Sequence, residues 1–195
     1  LRILCHNARS LKSQTTKSPK VQILGHELDS GEFDLLMFVE SWLDASVPDG
    51  LLLGECASSF ACLRRERQPA EGGEGGAQSG GGVCAFIRRS LSPRLIPLRC
   101  SQSELLAFDI TMRGTKLRCI VFYRPPGTDR SYLIDAIREL ERLCFKAPQV
   151  LIFTDANLPD IDWKSKHAVR GLSSLLLEFC AAANLSQVVR EGTRG

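Results

Sequence analysis

Histidine is scarce in this chain and cysteine is badly spaced for metal. Three histidines and eight cysteines occur in 195 residues, and no two cysteines form a Cys-x-x-Cys pair. Zinc sites and dithiol redox centres therefore lose their usual signature. No apolar run approaches the ~20 residues that cross a bilayer, and no secretory leader pattern is present. Charge of one sign is scarce as well. Lys and Arg number 25 against 22 Asp and Glu, a net charge of +3, with basic residues in short clusters such as Arg64-Arg65-Glu66-Arg67 and Arg88-Arg89. Nucleic acid is thus allowed as a partner without being demanded, and the clusters read as solvated surface.

The cysteines that sit in apolar runs, Cys5, Cys84 and Cys119 among them, read as small buried hydrophobes. A domain of this length needs no disulfides, which favours a reducing intracellular compartment, nuclear or cytoplasmic. Residues 68–82 hold Gly72-Gly73, Gly75-Gly76 and Gly80-Gly81-Gly82, but no GxxxxGK[ST] pattern and no helix directly after them. That segment is expected to be a flexible hairpin connection, not a phosphate cradle.

Apolar runs that stop at oxygen-bearing side chains are what the chain does have. Ile3-Leu4-Cys5 leads to Asn7, Leu35-Leu36-Met37-Phe38-Val39 to Glu40, and Cys119-Ile120-Val121-Phe122 to Tyr123. Val150-Leu151-Ile152-Phe153 leads to Asp155 and Asn157. Ligand sites of α/β proteins form just beyond strand ends, so these five residues are expected to converge on one cleft. Asn7 and Glu40 suit a magnesium ion that keeps several waters. Asp155 and Asn157, two apart, would share a side of an extended segment; Asp can orient or deprotonate water and Asn can donate to a phosphoryl oxygen. Tyr123 could offer its hydroxyl to the same phosphate.

The rest of the pattern is a single domain over residues 1–195 with strands at 2–5, 33–39, 83–87, 104–110, 116–122 and 150–153. Helices are expected at 17–28, 131–144 and 172–183, with 51–63 read as a short strand and turn. The pair around Arg113-Gly114-Thr115 reads as antiparallel, and Pro125-Pro126 stops its second strand. His6 should face away from Asn7, His26 lies mid-helix and His167 in a polar loop.

In this order, Asn7-Ala8-Arg9-Ser10-Leu11, Glu40-Ser41-Trp42-Leu43, Gly80-Gly81-Gly82-Val83, Glu104-Leu105, Tyr123-Arg124-Pro125-Pro126, Asp155-Ala156-Asn157-Leu158-Pro159-Asp160-Ile161-Asp162-Trp163 and Thr193-Arg194-Gly195 resemble the endonuclease/exonuclease/phosphatase superfamily, specifically the endonuclease domain of non-LTR retrotransposons. The resemblance implies a deoxyribonuclease I-like two-sheet α/β sandwich with mixed, largely antiparallel sheets flanked by helices. It implies Mg²⁺, with Mn²⁺ as a substitute, held by Asn7 and Glu40, and Tyr123 at the scissile phosphate. It further implies Asp155 and Asn157 on the nucleophilic water, and Arg124 and Thr193 as substrate contacts. The implied substrate is double-stranded DNA, nicked to leave a 3′-hydroxyl from which an adjoining reverse transcriptase domain primes.

Thr154 and Ala156 stand where the family has Gly and Phe, and Arg9 stands where repair-type relatives carry a second Asn or Asp. The chain is also expected to stop before the family's final strands, which carry an Asp and a Ser-Asp-His ending; as an incomplete domain it would be impaired. The alternatives are a same-fold phosphatase acting on a small phosphoester and a degenerate retroelement fragment without enzymatic activity.

Overall fold

The computed structural model describes residues 1–12, 18–67, 80–99, 102–145, 147–169 and 171–189. In chain order the elements are β1 (Ile3–Asn7), α1 (Pro19–Asp29), β2 (Leu35–Val39), α2 (Asp49–Leu53), β3 (Phe60–Arg65), β4 (Val83–Arg88), β5 (Arg94–Leu95) and β6 (Glu104–Met112). They continue with β7 (Thr115–Tyr123), α3 (Arg130–Cys144), β8 (Val150–Asp155), β9 (Ile161–Asp162), β10 (His167–Ala168) and α4 (Gly171–Ala182). Two four-stranded sheets dominate, ordered β1-β2-β4-β3 and β5-β6-β7-β8. Each has one parallel pair, β1 with β2 and β7 with β8, and its other pairs are antiparallel.

Both parallel pairs are joined through a helix, the connection that parallel strands require. α1 starts at Pro19, whose missing N–H is no loss in the first turn, and buries Val21, Leu24 and Leu28. α3 is capped by Asp129, whose side chain accepts the Tyr132 backbone N–H at 2.9 Å, and buries Leu133, Ala136, Ile137, Leu140 and Leu143.

Strand alternation sorts the apolar residues into three cores. Leu36, Phe38 and Phe86 turn outward from the first sheet onto α1 and α2. Leu35, Met37, Val39, Val83, Ala85 and Ile87 turn inward and meet Leu106, Phe108, Ile110, Cys119, Val121 and Tyr123 of the second sheet. Ile120 and Phe122 turn outward onto α3 and α4. The result is a helix–sheet–sheet–helix sandwich.

Segment 51–63 differs from expectation: Leu51, Leu52 and Leu53 close a short helix, Gly54–Ser58 is a 3₁₀ turn, and the strand begins only at Phe60. A run of three leucines has no period, so it could not separate helix from strand. In the glycine-rich segment, residues 68–79 lie outside the described residues, but Gly81 and Gly82 are buried and part of the fold. Among the described residues no helix is long and apolar enough to cross a membrane, and the seven described cysteines are free thiols.

Candidate active site

One end of the space between the sheets is polar. Register aligns Asn7, Val39, Val83 and Arg65 across the first sheet and Glu104, Tyr123 and Asp155 across the second. These two rungs face each other where the apolar core gives out, so Asn7 stands over Asp155 and Arg65 over the start of β6. Contacts match that placement: Asn7 Nδ2 donates to Asp155 Oδ2 at 3.2 Å, and Arg65 Nε donates to the Ser103 carbonyl at 3.1 Å.

Glu40 reaches the same point by a different route. Leu35, Met37 and Val39 face the second sheet, so an extended Glu40 would face away from it. Its φ of 52° breaks the strand alternation at that point, and Asn7 Nδ2 donates to Glu40 Oε1 at 2.6 Å. Non-glycine residues with positive φ crowd this mouth: Arg9 (44°), Ser10 (87°), Trp42 (57°) and Asn157 (49°) join Glu40. Such conformations cost of order 1–3 kcal/mol each for most side chains and persist where surrounding bonds over-determine them. Here the Ser10 N–H donates to the Glu40 carbonyl at 2.8 Å, Leu11 N–H to the Ser41 carbonyl at 2.7 Å, and Trp42 N–H to the Gly81 carbonyl at 2.7 Å.

Tyr123 donates its hydroxyl to the Glu40 carboxylate. Burial first, and then the negative charges of Glu40 and Asp155, push the phenol up to about 12, against a weaker opposing pull from Arg67. The phenol is therefore a neutral donor throughout the physiological range.

Asn157 does not share the side of Asp155 through an extended backbone, as expected from spacing. Its left-handed conformation turns the side chain back, so Nδ2 donates to the Arg124 carbonyl at 2.8 Å, while its N–H approaches Asp155 Oδ1 at 3.4 Å. Arg124 likewise departs from its expected place at the substrate. It is 4% exposed; Nη2 donates to the Thr128 carbonyl at 2.7 Å and Nη1 approaches the Ala156 carbonyl at 3.4 Å. It clamps the two loops that follow β7 and β8. Thr193 lies outside the described residues. Of the histidines, His6 packs edge-on against Phe38 on the far face of its sheet, and His167 is exposed.

A half-buried ion pair completes the mouth and was not foreseen. Glu104 is 4% exposed; one carboxylate oxygen accepts Arg67 Nε at 2.5 Å and the other accepts the Gly82 N–H. Burial raises its pKa, offset in part by those two donors, with the Glu40 charge adding to the rise. Two signals pointed to it. Leu63, Arg65 and Arg67 alternate, so arginines occupy core-facing positions and demand partners. Glu104 begins a strand whose next inward residues are Leu106 and Phe108.

The donor set suits a hard divalent cation. One amide nitrogen bridges two carboxylates, and the same position accepts a cation if the Asn7 amide turns its oxygen inward and gives up the bond from Arg9 N–H. Among the described residues no three His, Cys, Asp or Glu side chains converge on one metal-sized point. Water would supply most ligands of a magnesium ion held there, as that ion prefers.

The endonuclease domain of TRAS1, a telomere-specific non-LTR retrotransposon, superposes over 98% of this chain and 74% of its own, with TM-score 0.64 and 18% identity. The AP endonuclease LMAP from Leishmania major does so over 93% and 66%, with TM-score 0.63 and 12% identity. This chain has the endonuclease/exonuclease/phosphatase fold. The 3′ phosphatase NExo from Neisseria, bound to product DNA hairpin, shares that fold over 93% of this chain and 70% of its own (TM-score 0.59, 16% identity). No protein-family model and no curated protein sequence matches.

Proposed function

We propose that this site hydrolyses phosphodiesters in double-stranded DNA, as the nicking endonuclease of a retroelement whose product 3′-hydroxyl serves an adjoining reverse transcriptase. The observation that carries the reading is the convergence of Asn7, Glu40, Tyr123 and Asp155 at one end of the sandwich, with an amide bridging two carboxylates beside a neutral phenol. Phosphate chemistry needs little else from a protein than positioning and charge stabilisation.

Glu40 and Asn7 would hold Mg²⁺, or Mn²⁺ in its place, which when bound supplies positive charge to a phosphoryl oxygen. Tyr123 would donate its hydroxyl to a non-bridging oxygen, trading its bond to Glu40. Asp155 orients the attacking water and accepts its proton as the new P–O bond forms and the bond to the 3′ oxygen breaks; that oxygen takes a proton from solvent water and leaves as a hydroxyl, and Asp155 then returns its proton to solvent. Asn157, tied to the Arg124 carbonyl, holds Asp155 through its own N–H. Among the described residues no imidazole faces the cleft, since His6 lies across the sheet. A carboxylate alone is a weak base for this step, so residues 1–195 should turn over about 10²–10⁴ times more slowly than a site with a positioned histidine.

Relaxation of supercoiled plasmid tests the reading. Weak, magnesium-dependent nicking that Asp155→Ala abolishes is the expected result; nicking that survives both EDTA and Asp155→Ala rules the site out. A small-phosphoester phosphatase of the same fold would instead release inorganic phosphate from a monoester and leave the plasmid supercoiled.

A further inference from the structure

Arg67 follows β3 on the alternation that turns Arg65 toward the second sheet, and it lies at the mouth beside the site. Its Nε is held by Glu104 at 2.5 Å, and its guanidinium lies over Gly81, where a Cβ would collide with it. Glu104 is the register partner of Tyr123, so one strand spacing separates the anchor of Arg67 from the phenol. The charges feel one another: Arg67 acts on Tyr123, and Glu40 acts on Glu104. Its side chain keeps 21% of its exposure. Among the described residues Glu104 is the one acceptor that Arg67 meets, so its four terminal N–H groups have no protein partner there.

An ion pair with one buried carboxylate, placed only for stability, is poorly explained by its energetics. The desolvation of two charges offsets most of their attraction, and apolar residues of similar size often serve as well. Beside a phosphate site the arrangement has a clear use. A phosphodiester entering between Glu40 and Asp155 meets two negative side chains, and a planar guanidinium presents paired donors that match phosphoryl oxygens.

We propose that Arg67 is a phosphate-binding residue of this site, with Glu104 as the positioning residue that holds its Nε while the terminal N–H groups donate to a non-bridging oxygen of the bound phosphodiester. The assignment rests on the phosphodiester reading above. The residue adds charge that is fixed in place before the substrate arrives, the condition under which a hydrogen-bond donor lowers a barrier most.

Four variants of the full chain test it: Arg67→Lys, Arg67→Gln, Glu104→Gln and the double variant Arg67→Gln/Glu104→Gln, which leaves no buried charge unpaired. Cleavage of a duplex oligonucleotide gives kcat and KM, inorganic phosphate titrated under NMR gives anion affinity, and a magnesium titration read on Tyr123 gives metal binding. Both Arg67→Lys and the double variant should lose about 10²-fold in kcat/KM and about tenfold in phosphate affinity, with magnesium binding unchanged. Glu104→Gln, whose amide oxygen still accepts from Nε, should lose less than either. Arg67→Lys guards against misfolding because it keeps the charge opposite Glu104. A folded double variant, or Arg67→Lys, with wild-type kcat/KM and phosphate affinity reduces Arg67 to a counter-ion and overturns the proposal. If the wild-type chain neither cleaves DNA nor binds phosphate, the phosphodiester reading itself falls, and this assignment falls with it.

Discussion

Glu40→Gln should lower the pKa of Tyr123, and magnesium should mimic that substitution. The phenol is pushed from the ordinary value of 10.0 up to about 12, with burial as the largest cause and Glu40 acting second, both by charge and by the hydrogen bond it accepts. Removing the charge makes the phenolate easier to form, so the pKa falls. A like charge at hydrogen-bonding range shifts a group by about one unit or more, so the drop should be about one unit, with burial holding the remainder. A cation bound at Glu40 neutralises the same charge and should produce a similar fall in the wild type and none in Glu40→Gln. The stability linkage has a definite sign, because the folded pKa lies above the unfolded one. The contribution is fully present below pH 10 and is lost as pH rises through about 12. The assay is phenolate absorbance against pH, with Tyr123→Phe separating the signal from Tyr132, the only other tyrosine. An unchanged Tyr123 titration in Glu40→Gln would refute the geometry of the site. A magnesium response that persists in Glu40→Gln would place the metal elsewhere.

Phe108→Ala, at a side chain with no exposure between the two sheets, should cost about 3–5 kcal/mol in urea unfolding, because the flanking sheets cannot close the cavity. A loss under 1 kcal/mol would mean the sandwich is loosely packed. Gly82→Ala meets two obstacles, a φ of 76° and an added Cβ 3.0 Å from Ser41 Oγ and 3.2 Å from the Arg65 carbonyl. It should destabilise by about 1–2 kcal/mol, and nicking should fall further than that loss explains, since Gly82 N–H also holds Glu104. Stability and activity that both match the wild type would show that the mouth of the cleft does not depend on this loop.

Strand alternation made much of the fold and part of the site readable in advance. Asn7, Tyr123 and Asp155 each sit at an even spacing from residues that must face inward: Ile3, Val121 and Phe153. The same local rule that assigns the core therefore aims these three polar side chains at the cleft. The rule places Glu40 on the wrong face and aligns Asn157 with Asp155, which it is not. Both residues take left-handed conformations, and nothing in an isolated strand selects them. They are imposed by bonds from partners distant in sequence, such as the one joining Trp42 N–H to the Gly81 carbonyl and the one joining Asn157 Nδ2 to the Arg124 carbonyl. Arg67 and Glu104 were hidden for a related reason. Alternation with Leu63 turns two arginines of the cluster inward, but which carboxylate Arg67 meets is decided only when register sets Arg65 against Val83 and Glu104 against Tyr123. Composition and periodicity act over a few residues and so determined the elements, their inward faces and three of the polar groups. Which charges meet, and which backbone bends are worth their strain, depends on contacts that exist only once the two sheets are stacked.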